Sequence, residues 1–160
     1  MGREMKRQLP VKGDIMAQEE LETTQGTRTL VVEDETLIRL DIVETLEAAG
    51  YEVVGQAGDG EQAIALAEEL QPELIVMDVK MPGIDGITAA DRILENQNCA
   101  IVMLTAFSQS ELVDRARDAG AMAYVVKPFT PADLIPAVEI AVSRAQELTA
   151  LKDEVASLTE

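Results

Sequence analysis

Histidine is absent from the chain. That removes the commonest general base, the commonest zinc ligand and any phosphohistidine carried by the chain itself, so its chemistry must fall to carboxylates, lysine and threonine. Cys99 is the one cysteine. No intrachain disulfide can form, a reducing compartment is the simpler reading, and the residue itself reads as a small buried hydrophobe. Tryptophan is missing and aromatics make up 2% of the residues, which disfavours an aromatic binding platform and leaves the core to Val, Ile, Leu, Met and Ala. No apolar run reaches membrane-spanning length and no signal-peptide core is visible, so the expected location is the cytoplasm. Basic residues are scarce as well, 13 against 30 acidic, for a formal net charge of -17. Such a surface repels phosphate backbones, and nucleic-acid binding by this chain is not expected.

What is present is a repeating pattern. A chain of 160 residues suits one domain and an appendage, since a single core serves about 100 to 200 residues. Residues 1–27 are charged and lack an apolar period, which reads as a disordered leader in which Met16 offers an alternative start. From Leu30 onward short apolar runs alternate with amphipathic stretches: Leu30-Val31-Val32, Val53-Val54, Leu74-Ile75-Val76-Met77, Ile101-Val102-Met103-Leu104 and Ala123-Tyr124-Val125-Val126. Unbroken runs of that length suit strands covered on both faces. Gly50 and Gly120 stand where helix C-terminal caps belong, while Ser108 with Glu111, and Thr130 with Pro131 and Asp133, form N-terminal capping patterns. Five strand-helix repeats over residues 28–147 predict an α/β fold with an open, doubly wound parallel sheet.

The final helix is expected to outrun that domain. Leu134, Val138, Ala141, Ala145 and Leu148 follow a four-three spacing, and Leu151, Val155 and Leu158 resume it after one slipped step. Residues 148–160 therefore read as a coiled-coil extension leading toward a further domain, with a solvated, fraying amphipathic helix as the bland alternative. Helical from Ala132 to Leu158, it would be roughly 40 Å long.

In open parallel sheets, ligands bind beyond the C-terminal strand ends, where the strand order reverses. The polar residues that follow the apolar runs are Glu33-Asp34-Glu35, Asp78, Thr105 and Lys127. Taken alone, each is as readily a cap, a turn former or solvated surface. Together they crowd acidic groups that would repel one another unless a cation stood among them, and Mg²⁺ suits such a site because it needs only one or two carboxylates and a carbonyl. Asp34 and Asp78 are the candidate ligands. With a dication in place Asp78 can act as an oxygen nucleophile on phosphorus, with Lys127 and the Thr105 hydroxyl facing the phosphoryl oxygens.

The segments Val31-Val32-Glu33-Asp34-Glu35, Met77-Asp78-Val79-Lys80-Met81-Pro82-Gly83, Leu104-Thr105-Ala106 and Val126-Lys127-Pro128-Phe129 resemble the receiver domain of two-component response regulators. The resemblance implies a flavodoxin-like (βα)5 sheet of order 2-1-3-4-5. It further implies phosphorylation of Asp78 by a histidine kinase or phosphotransfer protein, with Mg²⁺ held by Asp34, Asp78 and the main-chain carbonyl of Lys80. Glu33 replaces the aspartate common at the first acidic position, and its longer arm points to contact through water. Lys127-Pro128 matches the family's cis peptide. Tyr124 matches its aromatic switch, which swings inward when Thr105 is drawn toward the phosphoryl group. The face of the fourth helix, fifth strand and fifth helix is then the output or dimer surface, the coiled coil being a second route to a homodimer. The stretches from Leu104 to Gln109 and from Arg115 to Tyr124 resemble antiterminator response regulators, whose receiver leads into an RNA-binding ANTAR domain. No ANTAR sequence is present here. On this resemblance the chain is a switch that assists its own phosphorylation and dephosphorylation rather than an enzyme.

Three rivals are set against this. An aspartyl-phosphate phosphatase needs a second acid two residues beyond its nucleophile, and Lys80 stands there. Flavin or dinucleotide binding needs a fuller glycine fingerprint than Gly58-Asp59-Gly60. A stand-alone receiver or scaffold whose acidic site never turns over remains as the bland alternative.

Overall fold

A computed structural model describes residues 26–106 and 110–159. The apolar runs become the buried centre of the sheet: β1 (Arg28–Val32), β3 (Leu74–Asp78) and β4 (Ala100–Thr105) are covered almost throughout. Both edge strands, β2 (Glu52–Ala57) and β5 (Ala123–Val126), are partly exposed, which is why their runs are shorter or mixed with polar residues. Every pairing is parallel and the order is β2-β1-β3-β4-β5. This is the flavodoxin-like arrangement the resemblance implied.

Five helices complete the repeats: α1 (Thr36–Ala48), α2 (Gly60–Leu70), α3 (Gly86–Asn96), α4 (Ser110–Asp118) and α5 (Pro131–Thr159). Because side chains alternate along each strand, the sheet feeds two cores. Leu30, Ile75, Met77, Ile101 and Met103 meet Ala63 and Ala67 of α2 and Ile87, Ala90 and Ile93 of α3 on one face. On the other, Val31, Val76, Val102 and Leu104 meet Ile42 and Leu46 of α1 and Leu134, Val138 and Ala141 of α5. Each large side chain so covered contributes about 1.5–3 kcal/mol, and Tyr51 joins the aliphatic residues of the second core. Cys99 joins the first core, where burial pushes its thiol up to about 12.

The helix ends obey local rules. Gly50 (φ 99°) and Gly120 (φ 107°) take the left-handed conformation just past α1 and α4. Asp59 accepts from the Gln62 N–H at 2.8 Å, and Asp85 from the Thr88 N–H at 2.8 Å, capping α2 and α3. At α5 the Asp133 carboxylate accepts from the Thr130 N–H at 3.0 Å and from its hydroxyl at 3.2 Å. Ser108, the expected cap of α4, lies outside the described residues.

One boundary differs from expectation. Gly26 and Thr27, assigned to the leader, are part of the fold: the Gly26 N–H donates to the Gly50 carbonyl at 2.8 Å and Thr27 is buried. The rest of the leader, residues 1–25, lies outside the described residues. The four-three stripe of α5 is divided. Leu134, Val138 and Ala141 are spent on the sheet, whereas Leu148 and Leu151 stand 46% and 57% exposed. The side chains of Val155 and Leu158 lie outside the described residues. Among the described residues no helix is long and apolar enough to cross a membrane.

Candidate functional site

The C-terminal ends of all the strands face one edge of a parallel sheet, and order reverses between β1 and β3, so the residues following β1, β3, β4 and β5 are brought together there. Asp78, the last residue of β3, is buried, as is Thr105 at the end of β4. Main-chain bonds hold the loops that leave these ends: the Glu33 N–H donates to the Ala57 carbonyl at 3.0 Å, that of Val79 to Leu104 at 2.8 Å, and that of Lys127 to Thr105 at 2.7 Å. Gly86 closes the floor. A Cβ there would collide with the Asp78 carbonyl, so the start of α3 can approach the strand end only without a side chain.

Lys127 lies at the centre. Its Nζ donates to Asp78 Oδ2 at 2.9 Å and to Glu33 Oε1 at 2.9 Å. Burial alone would push this ammonium down, but hydrogen bonds and charges from Asp78 and Glu33 prevail and hold its pKa above the ordinary lysine value. The Lys127–Pro128 peptide is cis. Glu33 is wholly buried, and its second oxygen accepts from the Glu35 N–H at 3.1 Å. Asp34 is exposed at the rim. Carboxylate oxygens of Glu33, Asp34 and Asp78 lie within 4.8 Å of one another.

The charge count decides what such a cluster can hold. Three carboxylates facing one ammonium leave two negative charges, and every free donor is an oxygen. That set fits a hard divalent cation and offers nothing to a soft one. Lys80, exposed two residues beyond Asp78, leaves no acid where the phosphatase rival needs one. The Gly58-Asp59-Gly60 loop serves as the cap of α2.

Tyr124 stands apart from the cluster, 47% exposed on β5 opposite Met103. With Ile140 and Arg144 of α5 and Ala116 and Arg117 of α4 it lines a shallow cavity of about 400 Å³.

The reading of the sequence did not single out Arg39. Its Nη1 donates to the Glu33 carbonyl at 2.7 Å and its Nε to Gln56 Oε1 at 3.2 Å, binding the acidic loop to β2. One signal was available: Arg39 is the only basic residue in α1, one turn after the acidic triplet.

An aspartate at a buried strand end, paired with a lysine beside two further carboxylates, on a 2-1-3-4-5 parallel sheet, defines a class. The response regulator receiver domain family model matches residues 29–139, and the chain belongs to that family. Over 133 residues, 83% of the chain, it is 61% identical to the transcriptional regulatory protein PdtaR of Mycobacterium tuberculosis, and it spans 65% of that relative's length. It is also similar to the chemotaxis protein CheY of Thermotoga maritima, 36% identical over 71% of this chain and 95% of CheY. Among solved structures, the CheX-CheY-BeF3-Mg²⁺ complex from Borrelia burgdorferi matches with TM-score 0.69 and 26% identity, covering 73% of this chain and 90% of that one.

Proposed function

We propose that the chain is the phosphoryl-accepting switch of a two-component system, with Asp78 as acceptor. One observation carries this: the buried Asp78 carboxylate is bonded through one oxygen to Lys127 Nζ at 2.9 Å, in a cluster whose remaining charge calls for a dication. Asp34 and Asp78 would hold Mg²⁺ together with the Lys80 main-chain carbonyl. Glu33, whose own oxygens already accept from Lys127 and Glu35, would reach it through water. Bound Mg²⁺ supplies charge that offsets repulsion between the carboxylate and incoming phosphate oxygens. The CheY complex named above carries that ion with BeF3, which supports the reading.

An Asp78 oxygen attacks phosphorus of a phosphohistidine. The P–O bond forms as the P–N bond breaks, and the imidazole leaves with a proton from solvent. Since this chain has no histidine, the donor is a histidine kinase or phosphotransfer protein. Lys127 faces one phosphoryl oxygen and the Thr105 hydroxyl another. Water later hydrolyses the acyl phosphate, so the chain assists its own cycle without turning over an external substrate. As Thr105 moves inward, Tyr124 swings from its exposed position and the α4, β5 and α5 face changes, altering partner binding or a homodimer contact there or along α5. In the cytoplasm, a longer parent protein resembling PdtaR would couple this to transcription antitermination through an RNA-binding domain.

Incubation with acetyl phosphate and Mg²⁺ is expected to add the mass of one phosphoryl group, and Asp78→Asn to abolish the gain with the far-UV spectrum unchanged. Full labelling of Asp78→Asn would place the acceptor elsewhere, and no labelling of the wild type under any Mg²⁺ concentration would leave the scaffold reading.

A further inference from the structure

The four polar groups of Glu33 are all engaged. Its N–H donates to Ala57, its carbonyl accepts from Arg39, and its two carboxylate oxygens accept from Lys127 and from the Glu35 N–H. A buried glutamate so completely bonded is a fixed point: its main chain sets where Asp34, the next residue, projects, and its side chain sets where Lys127 rests. Three of the four bonds come from backbone of the neighbouring strand, from its own loop or from the site's lysine. The fourth comes from a side chain outside the acidic cluster, Arg39, whose guanidinium reaches Glu33 at 2.7 Å while bonding Gln56 on β2 at 3.2 Å. A planar fork with donors on two edges can brace a loop against a strand in a way a single ammonium cannot.

We propose that Arg39 is a positioning residue for the metal and phosphoryl-acceptor site, acting through the Glu33 carbonyl to hold the Asp34 loop and Lys127 in register with Asp78. The inference rests on the acceptor reading given above. It also makes a claim opposite in sign to simple electrostatics. Arg39 is a cation close to a site that binds a cation, so if its charge were all that mattered, removing it would tighten Mg²⁺. If its bonds matter, removing it loosens Mg²⁺, as loss of supporting partners does at metal sites.

Calorimetric titration of the full chain with MgCl₂, at constant ionic strength and without phosphodonor, separates the two. Arg39→Ala is expected to weaken Mg²⁺ binding about tenfold. Arg39→Lys, which can still donate to the Glu33 carbonyl, should recover part of the loss. Gln56→Ala keeps the bond to Glu33 but frees the far end of the fork, and is expected to weaken binding by a smaller factor in the same direction. It also keeps the test open should Arg39→Ala fail to fold. Unchanged or tighter Mg²⁺ binding in a folded Arg39→Ala, or in Gln56→Ala, overturns the proposal. A merely structural arginine would lower the melting temperature and leave the Mg²⁺ affinity alone, which also overturns it. Wild-type protein that binds no Mg²⁺ would instead sink the acceptor reading itself, an outcome read before any variant is made.

Discussion

At Gly86 the backbone of α3 comes so close to the carbonyl of Asp78 that a single added methyl group has nowhere to go. Neither a main-chain carbonyl nor a helix start can step aside cheaply, so Gly86→Ala is expected to cost about 1–3 kcal/mol and to displace the end of β3 that carries Asp78. Urea unfolding checks the first effect, and phosphorylation by acetyl phosphate the second. Tyr51 offers the reverse case. Its hydroxyl is buried without a hydrogen-bond partner, and burial, helped by the charge of Glu139, raises its pKa to about 12. Removing an unsatisfied buried oxygen relieves its desolvation cost, so Tyr51→Phe is expected to stabilise the chain by about 1 kcal/mol, seen as a higher urea midpoint at unchanged slope. Glu33 and Lys127 show where sequence reasoning stops. Each was a candidate on its own because it follows an apolar run, but their contact spans 94 positions. No local rule states that the longer glutamate arm is taken up by the lysine, or that Arg39 reaches back to the same residue's carbonyl.

Among the elements, the central strands were legible because a strand buried on both faces carries an unbroken apolar run, as β1, β3 and β4 do apart from the polar residues at their ends. The edge strand β2 runs from Glu52 to Ala57, although only Val53-Val54 stood out, since half-exposed positions carry no such demand. The caps Asp59 and Asp85 were not legible either, because an aspartate in a polar loop looks the same whether or not a helix begins after it. Asp85 caps α3 through the Thr88 N–H and meets Arg115 at 3.4 Å. Its burial would raise its pKa, but those two partners outweigh it and hold the value below the ordinary 3.8. A depressed carboxyl stabilises the fold at pH values above its unfolded pKa, and that stabilisation is lost as pH falls through the lower, folded value. Asp85→Ala is therefore expected to cost about 1 kcal/mol at pH 7, with most of it coming from the cap since the arginine contact is well exposed. The gap between wild type and variant should close as pH falls below about 4, which urea midpoints measured from pH 7 down to 3 would show.

For the molecule as a whole, a net charge of -17 on 160 residues sets up self-repulsion that folding must overcome. Sodium chloride screens exposed charges much more than the buried Lys127 cluster. Raising it from about 0.05 to 0.5 M without Mg²⁺ should lift the melting temperature, by roughly 2–4 °C for each 1 kcal/mol of repulsion relieved. A fall in melting temperature would mean that attractive pairs dominate the surface. The sheet's connectivity has a temporal side too. Glu33, Asp34 and Asp78 are all synthesised well before Lys127, which follows β5, the last strand of the sheet. At about 5–20 residues per second, a nascent chain spends several seconds with its acids exposed and their counter-cation not yet made. The complete pocket cannot close until ribosomal synthesis has delivered β5, so a half-translated protein cannot yet present the finished receiver.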